Sequence, residues 1–152
     1  MFTKMSSWLL LLVMGLMITS SAVTAQDKTL IGSVTANNAY LSGETTNLSF
    51  HLTFVSPDWE WARDLDLTFP AGFTINSAGT INGHPAIIAG QNIHWDMNYT
   101  QGSGVTINVD FTVHVTTDPS VTVNQLIHYV VTGDFYGSHP HSFSGDCVLA
   151  QA

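Results

Sequence analysis

The chain has 152 residues, of which only 9% are charged, and its 11 acidic residues outnumber its three lysines and arginines. The resulting formal net charge of −8 argues against nucleic acid and anionic membrane surfaces as partners, because neutralising phosphates requires clustered Lys and Arg. Cys147 is the single cysteine, so an internal disulfide is excluded and the fold must be stabilised by its core. We expect the thiol of Cys147 to be buried in a strand.

Residues 1–25 have the pattern of a signal peptide. Lys4 supplies a short positive region, and the apolar run that follows it over residues 8–18 is short for a membrane span. The small residues that end at Ala25 form a cleavage pattern. Cleavage there leaves residues 26–152 as a single domain that is secreted, at the cell surface or periplasmic, without membrane insertion. An uncleaved N-terminal anchor is the alternative.

Alternation of apolar and polar residues at period two predicts a series of β-strands and no helix. The longest run, Gly104–Thr116, alternates without a break and places six apolar side chains on one face. Proline, asparagine and glycine punctuate the chain between the runs. We expect residues 92–97 and 104–116 to pair as an antiparallel hairpin. The predicted inward stripes are Leu48/Phe50/Leu52/Phe54, Leu65/Leu67/Phe69, Ile93/Trp95/Met97, Val105/Ile107/Val109/Phe111/Val113/Val115 and Val121/Val123/Ile127/Tyr129/Val131.

Seven to nine short strands separated by turns predict an all-β fold, an immunoglobulin-like two-sheet antiparallel β-sandwich. A jelly roll and a closed barrel are the alternative architectures. Four stretches occur in the same order as in a known class of domain: residues 64–77 (DLDLTFPAGFTINS), 92–95 (NIHW), 129–134 (YVVTGD) and 137–145 (GSHPHSFSG). Their succession resembles the Ig-like domains of bacterial secreted and surface proteins, including CARDB-like adhesion-related modules. The resemblance implies a spacer, adhesion or binding module and brings no catalytic residues.

Seven histidines in the chain raise the hypothesis of a metal site. His139 and His141 flank Pro140, and a His-x-His pair in an extended segment presents both imidazoles on one side, as Zn²⁺ or Cu²⁺ requires. His84 or Asp134 is the candidate third ligand. The alternative is that these are polar surface residues, because no four-ligand spacing is present. We therefore predict no cofactor.

The segment Asp58-Trp59-Glu60-Trp61 has the most unusual local composition of the chain. Alternation sends the two tryptophans to one face and the two carboxylates to the other. One hypothesis is a glycan-binding platform formed by Trp59 with Asp58, Tyr99 and Tyr136. The alternative, which we favour, places Trp61 in the core on the side of Leu65, with Trp59 capping the end of the sandwich.

No G-x-S-x-G elbow or other catalytic motif is present, so we do not expect an enzyme. The predicted function is a non-enzymatic module for adhesion or for ligand or protein binding at or beyond the cell surface. Its partner is expected to be an extracellular protein or glycan, and the oligomeric state is left open. A self-assembling matrix or filament subunit that exchanges the strand Gln26–Thr35 is the alternative. A carbohydrate-binding module is a further alternative.

Overall fold

The computed structural model describes residues 29–100, 103–134 and 141–152 of the chain. No helix forms within these ranges, so the described residues contain no membrane-spanning helix. The described residues form nine β-strands: β1 (Ile31–Ala36), β2 (Thr45–Val55), β3 (Ala62–Thr68), β4 (Phe73–Ala78), β5 (Ile87–Ala89), β6 (Asn92–Tyr99), β7 (Thr106–Thr117), β8 (Gln125–Gly133) and β9 (Ser142–Leu149).

The strands form two antiparallel sheets. One has four strands in the order β1-β2-β7-β4, and the other has five in the order β5-β6-β3-β8-β9. The apolar stripes of the two sheets bury one another, as they must when each strand is apolar on one face only. The predicted all-β fold, an immunoglobulin-like two-sheet β-sandwich, is confirmed.

The core is built from the predicted stripes and is centred on aromatic contacts between the sheets. Phe111 of β7 stacks on Phe50 of β2 with ring centroids 5.4 Å apart. Its ring also contacts Trp95 of the opposite sheet edge-to-face at 5.2 Å. The indole Nε1 of Trp95 donates a hydrogen bond to the carbonyl oxygen of Gly79, so the buried nitrogen of this large side chain is satisfied. These rings join the two layers.

The predicted hairpin between residues 92–97 and 104–116 is wrong. Strand β6 pairs with β3 and β5, whereas β7 pairs with β2 and β4 in the other sheet. Both strands carry a strong apolar stripe, and the chain crosses from one sheet to the other between them so that the two stripes face each other. Proximity in sequence suggested pairing, but burial of both stripes decided the topology.

Two residues of the predicted stripes are exposed. Val105 and Val123 were expected to point inward, but both precede the strands to which they were assigned. Strand β7 begins at Thr106 and β8 begins at Gln125, so the pleat that directs alternate side chains into the core starts only after these valines.

The N-terminal strand completes its own sheet. Strand β1 pairs along its whole length with β2 and buries Val34, while Leu30 just before it also lies in the core. The thiol of Cys147 on β9 is buried as predicted, and burial raises its pKa to about 11. The group therefore stays protonated near neutral pH, where a thiol is a poor nucleophile.

Placing a charge in the centre of the core should abolish folding. We expect Phe111→Asp to be unfolded, because a carboxylate at this buried position has no partner and the ring contacts to Phe50 and Trp95 are lost. Thr112→Asp, one residue along on the exposed face, is the matched control and should change the free energy of unfolding by less than about 1 kcal/mol. Circular dichroism during thermal melting separates the two. A cooperative transition of Phe111→Asp near the wild-type temperature would contradict the assignment of the faces.

Candidate functional site

The tryptophan loop (residues 56–61) connects β2 to β3 at one end of the sandwich and is organised by a single serine. The Oγ of Ser56 accepts hydrogen bonds from the backbone N–H of Glu60 at 2.6 Å and of Asp58 at 3.3 Å. The same hydroxyl donates to Oδ1 of Asp58 at 3.0 Å. Ser56 is fully buried, so these bonds close the loop into a compact turn around a hydroxyl that is shielded from water.

Neighbouring segments fix the tryptophan loop from both sides. Oδ1 of Asp58 accepts a hydrogen bond from the backbone N–H of Thr29, just before β1, at 2.8 Å. The carbonyl oxygen of Ser56 accepts one from the N–H of Gly104, just before β7, at 2.7 Å. These two bonds tie the loop to the segments that precede β1 and β7, the two strands that flank β2 in the four-stranded sheet.

A buried acid–imidazole pair lies beneath the loop. The side chain of Glu60 is completely buried, and its Oε2 lies 3.0 Å from Nδ1 of His141, whose side chain is 12% exposed. His141 immediately precedes β9, and its carbonyl oxygen accepts a hydrogen bond from the N–H of Gly133 at the end of β8. The pair thus joins the tryptophan loop to the end of β8 and the start of β9.

Gly133 makes this arrangement possible because it has no side chain. A Cβ at position 133 would lie 2.4 Å from Oε1 of Glu60 and 2.6 Å from the carbonyl oxygen of His141. Contacts this short do not occur in real structures, so any larger residue would displace the carboxylate or the backbone of His141.

The two tryptophans of the loop point to solvent on either side of buried Glu60. Trp59 is 60% exposed and adopts a left-handed backbone conformation, with φ of 68°. Trp61 is 45% exposed. The expectation that Trp61 lies in the core beside Leu65 is wrong: the inward position belongs to Ala62, because an irregularity between Ala62 and Asp64 shifts the alternation by one residue.

Trp61 is one of the residues that line a surface pocket of about 280 Å³. The N–H of Asp134 donates a hydrogen bond to the carbonyl oxygen of Trp61 at 2.8 Å, which fixes the backbone at this wall. The polar residues of the lining have a cation, a carboxylate, an amide and a hydroxyl among their side-chain groups. The other lining residues are Ala62, Arg63, Asn98, Thr100 and Asp134.

The four residues predicted for a glycan platform have different surroundings. Asp58 and Trp59 lie on the tryptophan loop, and Tyr136 lies outside the described residues. Tyr99 is half-buried and packs edge-to-face on Phe54, with ring centroids 5.8 Å apart, and burial raises its pKa. Its ring is therefore engaged with the core.

The pocket also uses residues that sequence reasoning did not assign to a binding site. Arg63, Asn98 and Thr100 come from two strands and a loop that only the sheet order brings together. The sequence suggests a site role for Asp134 only as a candidate metal ligand. No local motif marks these residues, and the one available signal was their proximity in sequence to Trp61 and Tyr99.

The metal hypothesis names three histidines. The two that lie within the described residues, His84 and His141, are not brought together. His84 closes a short turn with Ile81, and Asn82 in that turn donates to the carbonyl of Met97 on β6. His141 lies beside β8, and β3 separates β6 from β8. His139 lies outside the described residues.

The imidazole of His141 has one ring nitrogen engaged by Glu60. Its Nε2 is buried and has no hydrogen-bond partner within the described ranges. No group of three His, Cys, Asp or Glu residues in the described part of the chain is arranged to hold a metal ion. A metal site that includes His139 stays a prediction.

Comparisons with known proteins support the fold alone. The chain matches no protein-family model and no curated protein. Among solved structures it is similar to a variant of BcpA, the major pilin subunit of Bacillus cereus, with a TM-score of 0.53 and 11% identity over 84% of this chain. The chain spans only 41% of that pilin.

Weaker similarities extend to other proteins. ACE19, the collagen-binding subdomain of the Enterococcus faecalis surface protein ACE, matches 78% of this chain and is itself covered to 95%, with a TM-score of 0.45 and 7% identity. A cohesin module from a Clostridium perfringens family 33 glycoside hydrolase matches 83% and is covered to 100%, with a TM-score of 0.46 and 10% identity.

Replacing Gly133 should destabilise the protein through the buried pair. We expect Gly133→Ala to lower the free energy of unfolding by about 1–3 kcal/mol, because the added Cβ forces Glu60 and His141 apart. Gly79→Ala is the matched control: its nearest neighbour would be the hydroxyl of Thr112 at 3.2 Å, which can rotate away, so a loss below about 1 kcal/mol is expected. Urea unfolding followed by fluorescence measures both, and equal losses would contradict a tight fit at Gly133.

Proposed function

We propose that the protein is an exported, non-enzymatic module for adhesion or for ligand or protein binding at or beyond the cell surface. We propose further that its binding face is the tryptophan end, defined as the tryptophan loop together with the pocket lined by Trp61. The observation that carries this proposal is the exposure of two tryptophans on a loop that is rigidly anchored from below by buried Glu60.

The energetics of the loop favour a binding role. A left-handed φ in a bulky residue such as Trp59 costs about 1–3 kcal/mol and persists only where the surrounding structure imposes it. Leaving two large indoles in water also forgoes stabilisation that burial would give. A loop that is both strained and apolar at its surface is typical of sites that bind another molecule.

The fold and the start of the sequence are consistent with a role outside the cell. Residues 1–25 have the composition of a signal peptide, and the chain resembles bacterial surface modules in the order of its strands and corners. The pilin subunit whose structure is similar supports the same architecture. The CARDB-like relationship remains part of this proposal.

Assembly into a filament or matrix through strand exchange is the second candidate. It is favoured by the position of β1 at the edge of its sheet, since an edge strand has to separate from only one neighbouring strand. However, β1 already pairs with β2 over six residues and, with Leu30, fills part of its own core. Exchange would have to break these contacts first, so binding through the tryptophan end ranks ahead of it.

The binding proposal is tested by removing both indoles. The purified protein is applied to surfaces coated with extracellular matrix proteins and with polysaccharides, and binding is measured by surface plasmon resonance. We expect the Trp59→Ala/Trp61→Ala variant to lose affinity by about tenfold or more, because aromatic anchors dominate binding energies. Thermal melting of the variant checks that it is folded.

A matched control removes two exposed apolar side chains elsewhere. Leu126 and Val148 are cross-strand neighbours on the outer face of β8 and β9, and each is 58% exposed. The Leu126→Ala/Val148→Ala variant should bind like the wild type. Unchanged binding of the tryptophan variant, or an equal loss in the control, would refute the tryptophan end as the binding face.

A further inference from the structure

We infer that the ligand of the tryptophan end is a neutral carbohydrate, with one sugar ring seated in the pocket against the indole of Trp61. The inference rests on the proposed function, since it names the class of ligand that the same face binds. It is supported by the aromatic surface, by the chemistry of the polar lining, and by the position of the pocket within the sheet.

The indoles provide the apolar surface that a sugar ring needs. The face of an aromatic ring carries negative charge density, and the C–H groups on one face of a pyranose carry partial positive charge, so the two faces attract each other. Trp61 lines the pocket and is 45% exposed, and Trp59 offers a second exposed aromatic side chain two residues away. Buried Glu60 lies between them and keeps both indoles on the solvent side.

The polar lining supplies donors and acceptors together. Arg63 can only donate hydrogen bonds and the carboxylate of Asp134 can only accept them, whereas Asn98 and Thr100 can do both. A sugar hydroxyl likewise donates one hydrogen bond and accepts others. A lining of mixed character around an aromatic wall therefore suits a polyhydroxylated ring better than a purely apolar ligand.

The charges favour a neutral ligand of small size. An anionic ligand would meet the carboxylate of Asp134 and a protein of net charge −8, while a cationic one would meet Arg63. The pocket volume of about 280 Å³ lies just below the range for small-molecule sites, roughly 300–1,000 Å³. That space suits a single ring whose neighbours in an oligosaccharide lie along the surface.

The sheet order disfavours a peptide added as an extra strand. The pocket lies at the start of β3, where Ala62 is paired with Tyr99 of β6 on one side and with Gly133 of β8 on the other. Both edges of β3 are thus occupied, so no row of open backbone groups is available for β-augmentation. A proline-rich peptide lying across the indoles is the competing ligand that the test has to separate.

The test begins with an array of neutral oligosaccharides and continues with calorimetry of the purified protein on cellohexaose, xylohexaose, maltohexaose or mannohexaose. An oligogalacturonate serves as the anionic probe and a Pro-Pro-Gly repeat peptide as the peptide probe. We expect binding of at least one neutral glycan and weaker or no binding of the anionic probe. Trp61→Ala should weaken glycan binding by about tenfold or more, because one stacking surface is lost.

Two variants separate stacking from misfolding. Trp61→Phe keeps an aromatic ring and should retain part of the affinity that Trp61→Ala loses. The Leu126→Ala/Val148→Ala variant should bind the glycan like the wild type, because these residues lie outside the pocket.

The outcomes distinguish the inference from the proposed function. Absence of binding across the neutral array, or glycan binding that Trp61→Ala leaves unchanged, would overturn the carbohydrate assignment. Binding of the Pro-Pro-Gly peptide alone, with loss in Trp61→Ala, would also overturn it but would leave the tryptophan end as the binding face. If the two-tryptophan variant keeps all binding to coated surfaces, the proposed function itself fails.

Discussion

The buried carboxylate of Glu60 is the constraint on which the functional end of this sandwich depends. Taking a carboxylate out of water costs several kcal/mol even after the protein relaxes, so it must be offset by hydrogen bonding. The 3.0 Å contact to Nδ1 of His141 does this, and it requires β8 to end and β9 to begin where they do. Gly133 then has to be a glycine, because the carboxylate occupies the space of a side chain. One interaction thereby fixes three segments that are distant in sequence.

The position of the two indoles follows from that anchor. With Glu60 held inward and its N–H bound to Ser56, the residues on either side are directed to solvent, and Trp59 takes a backbone conformation that bulky residues rarely adopt. The sandwich core contributes stability far from this end, through Phe50, Phe111 and Trp95. The core can therefore offset the strain and exposure of the tryptophan loop, which is how strained sites generally persist.

The sequence predicted the fold well because its signal is local. Period-two alternation follows directly from the pleat of a strand, so Phe50 and Leu67 could be placed in the core without knowing their neighbours. Alternation also put the two tryptophans opposite Glu60. Strand pairing depends on which stripes face each other, and the side taken by Trp61 depends on a backbone irregularity beside Ala62. Neither is encoded in a local pattern, and burial of Glu60 depends on His141, 81 residues further along.

A double-mutant cycle between Glu60 and His141 tests the central claim most directly. The free energies of unfolding of the wild type, Glu60→Ala, His141→Ala and the double variant are measured by urea denaturation at neutral pH. If the pair anchors the tryptophan loop, each single variant is strongly destabilised and the coupling energy is about 1.5–3 kcal/mol, as for a buried hydrogen bond to a charged group. Additive losses, with a coupling energy below about 0.5 kcal/mol, would contradict the account.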